Sequence, residues 1–269
     1  MSASTLARPP GALLLLRSSQ LWYLTAALGQ LAFVWFIVAH YWRSTLAGDL
    51  AAWNDKPLIK GYVAGDTGGN LVFAVHVLLA AIMTLGGLLQ LLPQVRSRIP
   101  ALHRWNGRVF LATAFVLALG GLWLVWGRAT WLSLVSTVPL TINALLILAF
   151  GGIAWRCARD RRFEAHRRWA LRTFMVANGV WFLRVAMMGW VVLNQGPRGL
   201  TGDMSGPIDL MLQFGCYLLP LGVLELYFRA QRAATATLRR AVVALIVLMT
   251  AVMAAGIFGT VALMWGPYM

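Results

Sequence analysis

The positive charge of this chain alternates from one loop to the next, and that alternation constrains its fold more than any other feature. Between the loops lie seven long apolar runs, at roughly 21–41, 71–92, 108–127, 132–155, 172–193, 209–228 and 240–265. Each run is close to the ~20 residues with which a helix crosses a hydrocarbon core of ~30 Å. The sequence therefore predicts an all-α, polytopic transmembrane helical bundle with seven spans.

The distribution of charge also predicts the orientation. Of the 23 lysines and arginines, 17 lie in segments on one side, from Arg8 to Arg240, and 5 lie on the other side, from Arg43 to Arg198. Because cytoplasmic segments collect lysine and arginine, we expect the N-terminus inside and the C-terminus outside. We also expect the phospholipid bilayer as a partner, with anionic headgroups against the basic cytoplasmic face.

Composition excludes several other classes of protein. A mean hydropathy of +0.72 does not fit a soluble domain, so residues 1–269 are interpreted as a single membrane domain. The net charge of +15 does not predict nucleic-acid binding, because the basic residues lie in short loops beside the spans. Lysine occurs only at Lys56 and Lys60, which excludes a retinal Schiff base in the last span.

Two helix beginnings carry the same short motif. Residues 104–110 and 168–174 both read R-W-x-x-R-x-F, 64 residues apart, and both follow a basic loop. This pattern indicates two related hairpins that form a four-helix core at 70–193, flanked by the span at 21–41 and by those at 209–228 and 240–265. Generic anchoring of tryptophan and arginine at the membrane interface is the alternative explanation.

Three histidines are candidates for holding a cofactor. His76 lies in the outer half of the second span, on one helical stripe with Met83 and Gln90. His103 and His166 lie at the cytoplasmic beginnings of the third and fifth spans. Neutral imidazoles in apolar surroundings suit metal ligation. An interhelical hydrogen bond for His76, and headgroup contacts for His103 and His166, are the alternatives.

Arg184 is the residue least expected inside a span, because an arginine near the bilayer centre costs about 2.5–3.5 kcal/mol on insertion scales. One interpretation is that it snorkels toward Asp209 at the start of the sixth span, and the other is that it contacts an anionic ligand. Asn143 and Asn178 add polar groups that need partners inside the bundle.

These residues, in this order, resemble a family of bacterial multi-pass membrane proteins, the domain of unknown function numbered twenty-three hundred and six. The resemblance covers roughly residues 70–190 and includes His103-Arg104-x-x-Gly107-Arg108 and His166-Arg167-Arg168-Trp169-x-x-Arg172. It implies a location in the bacterial inner (cytoplasmic) membrane and no established activity. The cofactor-binding set that it favours is His76, Gln90, His103, His166, Arg172 and Arg184.

A more distant likeness is to the cytochrome b561 architecture, in which histidine pairs on four helices hold two b-type haems. It implies haem b as the cofactor, with His103, His166 and His76 as the iron ligands if haem is present. The chain departs from that pattern, because the fourth span has no histidine. An outer pair would need His40, which lies ~8 Å too shallow unless its helix extends or tilts.

Two classes of function remain open, and the sequence does not decide whether the chain is an enzyme. The first is a redox membrane protein that binds haem b or a quinone within its four-helix core. In that case we expect the haem between His103 and His166, and at most a quinone-like or singly ligated group near His76 and Arg184. The second is a non-enzymatic transporter, or a lipid- or partner-binding bundle, whose histidines and arginines are structural.

Overall fold

The structure, a computed structural model, describes residues 10–55 and 60–269, so Arg8 and Lys56 of the charge argument lie outside the described residues. Within them all regular secondary structure is helical, which confirms the all-α prediction. The α-helices, numbered α1 to α10 in chain order, are Ala12–Phe36, Arg43–Leu46, Thr67–Leu91, Pro93–Arg98, Pro100–Trp126, Thr137–Arg159, Phe163–Ala177, Gly179–Leu193, Pro207–Arg232 and Ala236–Gly259. Wide π-helical turns at Ile37–Trp42 and Thr260–Trp265 prolong α1 and α10.

Six helical segments of the described chain are long and apolar enough to cross a membrane. They are Ala12–Leu46, Thr67–Leu91, Pro100–Trp126, Thr137–Arg159, Pro207–Arg232 and Ala236–Tyr268. The bent pair α7 and α8 brings the number to seven if its two halves form one span. This confirms the polytopic bundle with six to seven spans. The orientation of the termini stays a prediction.

The first and last spans are longer than predicted. The first runs from Ala12 to Leu46 rather than over 21–41, and the last runs from Ala236 to Tyr268 rather than over 240–265. At the start of α1, polar residues interrupt the apolar run without ending the helix. The hydroxyls of Ser18 and Ser19 donate to carbonyls three residues earlier, at 3.0 and 2.8 Å. These bonds satisfy both side chains within the helix itself.

One ionic network fixes the loop before α3. Asp66 caps that helix, where its Oδ1 accepts a hydrogen bond from the Gly69 amide at 2.8 Å. Its Oδ2 accepts from Arg128 Nε, at the far end of α5, at 2.7 Å. Arg128 also donates to Asn70 Oδ1 at 2.7 Å and to the Gly61 carbonyl at 3.2 Å. The network thus ties the two ends of the α3–α5 hairpin together.

The fifth span, predicted as one apolar run at 172–193, is bent into two helices. Helices α7 and α8 meet at Asn178 with an angle of 52°. The Asn178 Nδ2 donates to the carbonyl four residues earlier at 2.8 Å, which perturbs the helical ladder. Its Oδ1 accepts from Gln30 Nε2 on α1 at 3.1 Å. At Gly179 a Cβ would lie 2.8 Å from Asn143 Nδ2, so α6 approaches the bend where only a glycine fits.

The bend sends the two halves of the fifth span to different neighbours. Helix α7 packs along α6, as the predicted hairpin requires, whereas α8 packs against α10 and α9. Glycines form the contact with α10, since a Cβ at Gly189 would lie 3.3 Å from the Cα of Gly256. Small residues that let two backbones approach are the common interface of membrane helices. The half of the predicted core that contains α8 therefore packs against the last span.

The two copies of the repeated motif have the same local geometry. The guanidinium carbon of Arg108 lies 4.6 Å from the ring centroid of Trp105, and that of Arg172 lies 4.6 Å from the ring of Trp169. At this distance a cation is attracted by the face of the aromatic ring. Each motif therefore positions an arginine over a tryptophan at the beginning of a helix.

The phenylalanines that end the two motifs meet over one glycine of α3. A Cβ at Gly87 would lie 3.1 Å from a ring carbon of Phe110 and 3.1 Å from a ring carbon of Phe174. Both rings are almost fully buried. Helices α3, α5 and α7 thus converge on this point.

Candidate functional site

His103 and His166 lie at the same end of the bundle, which carries Arg104, Arg108 and Arg168 and is called the arginine-rich end below. Each histidine is the fourth residue of its helix, α5 for His103 and α7 for His166. They are close enough for His166 to act electrostatically on His103. The structure therefore brings these two predicted site residues to one region.

The ring of His166 is held by a backbone carbonyl. Its Nδ1 lies 2.9 Å from the carbonyl oxygen of Ala154 on α6. A carbonyl oxygen can only accept, so Nδ1 carries the hydrogen and donates it. In the neutral ring the other nitrogen, Nε2, then has its lone pair available. Metal-ligating histidines are usually oriented by a bond of this kind from the nitrogen that does not bind the metal.

His103 is held through its backbone instead. The Gln90 Nε2 on α3 donates to the His103 carbonyl at 2.8 Å. The ring Nδ1 of His103 is buried and has no hydrogen-bond partner among the described residues. The repeat accounts for the difference between the two histidines. Gln90 and Ala154 are 64 residues apart, but His103 and His166 are 63 apart, which offsets the rings by one residue or about 100° of helix.

Arg172, a predicted cofactor contact, is bound by an acid that the sequence analysis did not identify as its partner. Its Nε and Nη2 donate to the two carboxylate oxygens of Glu225 on α9, at 2.7 and 3.0 Å. Such a bidentate pair is the strongest geometry for arginine and carboxylate. A glutamate inside an otherwise apolar run needs a cationic partner. The position of Glu225 in the sixth run could therefore have indicated such a pair. A role of Arg172 toward a cofactor stays a prediction.

His76 lies far from the arginine-rich end, against two glycines of α5. A Cβ at Gly121 would lie 3.3 Å from its Cε1, and one at Gly120 would lie 3.7 Å from its Nδ1. The glycines therefore leave the room that the imidazole ring occupies. The Nδ1 is buried and lacks a hydrogen-bond partner within the described part of the chain. A buried polar atom of this kind calls for a water or a ligand.

Arg184 reaches the same region from α8. Its Nη1 donates to the Val180 carbonyl at 3.2 Å, and its guanidinium carbon lies 5.6 Å from the ring centroid of Phe33 on α1. Arg184 also acts electrostatically on His76 and on Tyr41. In residues 10–55 and 60–269 no acid forms an ion pair with it. The charge of Arg184 is thus met by aromatic rings and a carbonyl.

Asp209 is not the partner of Arg184, and that prediction is wrong. Asp209 is buried at the start of α9, where its Oδ2 accepts from the amide and the hydroxyl of Thr201 at 2.9 and 2.8 Å. It also accepts from the Gly206 amide at 3.2 Å. An acid three residues after the cap that bonds back to the cap amide is a known helix start. The Oδ2 atom of this carboxylate therefore accepts three hydrogen bonds within the local structure.

The described residues contain no group of three or more His, Cys, Asp or Glu side chains that could hold a metal ion. Cys157 and Cys216 are free and buried.

Residues 73–201 match the family model described as "Predicted membrane protein (DUF2306)". The matched stretch runs from the second span, through both motif copies and the bend at Asn178, to the loop before α9. It contains the whole candidate set, which is His76, Gln90, His103, His166, Arg172 and Arg184. No curated protein and no solved structure matches the chain.

Proposed function

We propose that this chain, whose residues 73–201 match the model of the DUF2306 family of predicted membrane proteins, is a redox protein of the membrane that holds a b-type haem between His103 and His166. The match confirms the predicted family over residues 73–201, and the description of that family names no activity. The function is therefore inferred from the chemistry of the site at the arginine-rich end.

The hydrogen bond from His166 Nδ1 to the Ala154 carbonyl supports the proposal most directly. It fixes the imidazole ring and leaves Nε2 as a lone-pair donor, which is what an axial iron ligand requires. The observed geometry therefore favours ligation over the headgroup alternative for this residue.

His103 would supply the second imidazole. It begins α5 at the same position in its helix as His166 does in α7, and it lies within electrostatic reach of that histidine. Its buried Nδ1 has no partner among the described residues. Within that part of the chain, His103 thus lacks the orienting bond on Nδ1 that His166 has.

Arginines near the pair suit the carboxylates of a haem. Arg104 and Arg108 form no ion pair with an acid within the described residues. Their guanidinium groups are therefore free to donate to propionates. Arg172, in contrast, is occupied by Glu225. When bound, haem b supplies one-electron transfer between ferric and ferrous iron.

The proposal is tested by the absorbance spectrum of protein purified from cells supplied with δ-aminolaevulinate. We expect bands of a b-type haem that change on addition of dithionite. His103→Ala and His166→Ala should each alter or abolish these bands, because each removes one axial ligand. His76→Ala is the matched control and should leave them unchanged.

Elution of each variant at the wild-type position in size-exclusion chromatography shows that the bundle is folded. Wild-type protein without haem bands contradicts the proposal. So does a spectrum that is unaffected by both His103→Ala and His166→Ala.

A quinone-like ligand near His76 and Arg184 is a second candidate. It is favoured by two groups there among the described residues, a guanidinium that forms no ion pair with an acid and an imidazole Nδ1 without a hydrogen-bond partner. A quinone carbonyl accepts hydrogen bonds from such donors. Titration with a short-chain quinone should quench tryptophan fluorescence in the wild type but not in Arg184→Gln. Equal quenching of both proteins contradicts this candidate.

A further inference from the structure

A basic recess lies at the arginine-rich end, between α7 and α9. It consists of two adjoining cavities of about 380 and 570 Å³, which share Arg168 and Arg172. Arg229 and Arg232 of α9 line the first cavity, and Arg162 lines the second. Five arginines thus face this recess, and its two glutamates leave it with a net positive charge.

The two glutamates do not satisfy the arginines of α9. Glu225 is occupied by both donors of Arg172, at 2.7 and 3.0 Å. Glu164 bonds Arg168 at 2.7 Å and reaches Arg232 only at 3.7 Å. Arg229 forms no ion pair within the described residues. Two guanidinium groups therefore face the recess with most of their donors unused.

The walls between the arginines are aromatic. Phe228 lines the first cavity, and Phe163 and Trp169 line the second. Phe163 is 67% exposed at the first residue of α7. In the predicted orientation this recess opens at the cytoplasmic headgroup level, where basic pockets between spans bind anionic lipids. Arginine donors beside exposed aromatic surface suit an anion that carries hydrocarbon.

We propose that the recess binds the phosphate group of an anionic membrane lipid, with Arg229 and Arg232 as the main donors. Arginine binds phosphate oxygens through paired hydrogen bonds. Phe163, which is exposed, would contact the hydrocarbon of the same molecule. The site goes beyond the proposed haem function, because neither arginine of α9 takes part in haem binding. Free phosphate shares the headgroup chemistry but has nothing to place against the aromatic walls.

The test measures the thermal midpoint of the purified full chain in mixed micelles. Phosphatidylglycerol should raise the midpoint in a saturable way, since a ligand that binds only the folded state stabilises it. Phosphatidylcholine with the same acyl chains, and inorganic phosphate alone, should not. In Arg229→Gln/Arg232→Gln the apparent affinity for phosphatidylglycerol should fall by about thirtyfold.

The matched control is Arg159→Gln/Arg240→Gln, which removes the same charge from the same end but from outside both cavities. It should keep the wild-type affinity. An equal fall in both double variants overturns the proposal, because the effect is then general charge. Stabilisation by inorganic phosphate equal to that by the lipid overturns the assignment to a lipid. Haem bands in each variant report separately on the proposed function, so the two can fail independently.

Discussion

Gly256 of α10 lies directly against the backbone carbonyl of Val185 on α8, and no space is left between them for a side chain. A Cβ at this position would also lie 2.8 Å from Val185 Cγ1. The bend at Asn178 directs α8 away from α6, and this glycine contact is part of the interface between α8 and the last span.

Gly256→Ala should therefore destabilise the bundle by about 1–3 kcal/mol, because a backbone has to move to accept one methyl group. Gly152→Ala is the matched control, since nothing lies within 4 Å of a Cβ at that helical position. It should be neutral or stabilising by up to ~1 kcal/mol, as alanine favours helix. Unfolding in detergent measures both, and equal effects would contradict the predicted contact.

Arg128→Gln should loosen the outer end of the α3–α5 hairpin. The substitution removes the ion pair with Asp66 and a buried set of donors, since the Arg128 side chain is only 8% exposed. We expect a loss of about 1–3 kcal/mol in the free energy of unfolding. Arg198→Gln, which removes a charge from the same predicted face, serves as the control. If the two variants have the same free energy of unfolding, the network around Asp66 does not stabilise the fold.

The hydrogen bond between Gln30 and Asn178 should appear as coupling in a double-mutant cycle. Gln30→Ala, Asn178→Ala and the double variant remove the bond from either side. Interhelical bonds in membranes contribute ~0.6 kcal/mol on average. The losses in the free energy of unfolding of the two single variants should therefore add up to about that much more than the loss in the double variant. Strict additivity would show that the bend does not depend on α1.

A reporter enzyme fused after Met269 should be active only outside the cytoplasm. The prediction follows from the 17 to 5 distribution of basic residues and from a fifth span that crosses completely despite its bend. A fluorescent fusion at the same site checks the opposite outcome. Fluorescence from a cytoplasmic C-terminus would mean that α7 and α8 do not cross the membrane as one span.

The membrane crossings were predictable from the sequence, because long apolar runs are stable only inside the membrane. The shape of the fifth span could not be predicted in this way. A single asparagine in a span is compatible with a straight helix. At the bend, Asn178 bonds Gln30, which is 148 residues away in the chain, and Asn143 approaches Gly179. Such partners are known only once the helices are assembled.

In the candidate site, too, some features were predictable from the sequence and others were not. The motif repeat predicted that His103 and His166 begin equivalent helices, which they do. It did not predict that Glu225, 53 residues from Arg172, would occupy that arginine. Asp209 was assigned to Arg184 from depth alone, whereas its true partners lie within eight residues of it. Charge near a span end does not show which local hydrogen bonds an acid already makes.

Ligation of one haem by both His103 and His166 is tested most directly by electron paramagnetic resonance of the oxidised, purified protein. Two axial imidazoles make ferric haem low-spin, and the predicted result is a low-spin signal that is lost in His103→Ala and in His166→Ala alike. A high-spin signal from a singly ligated iron, or protein that carries no haem, would contradict it.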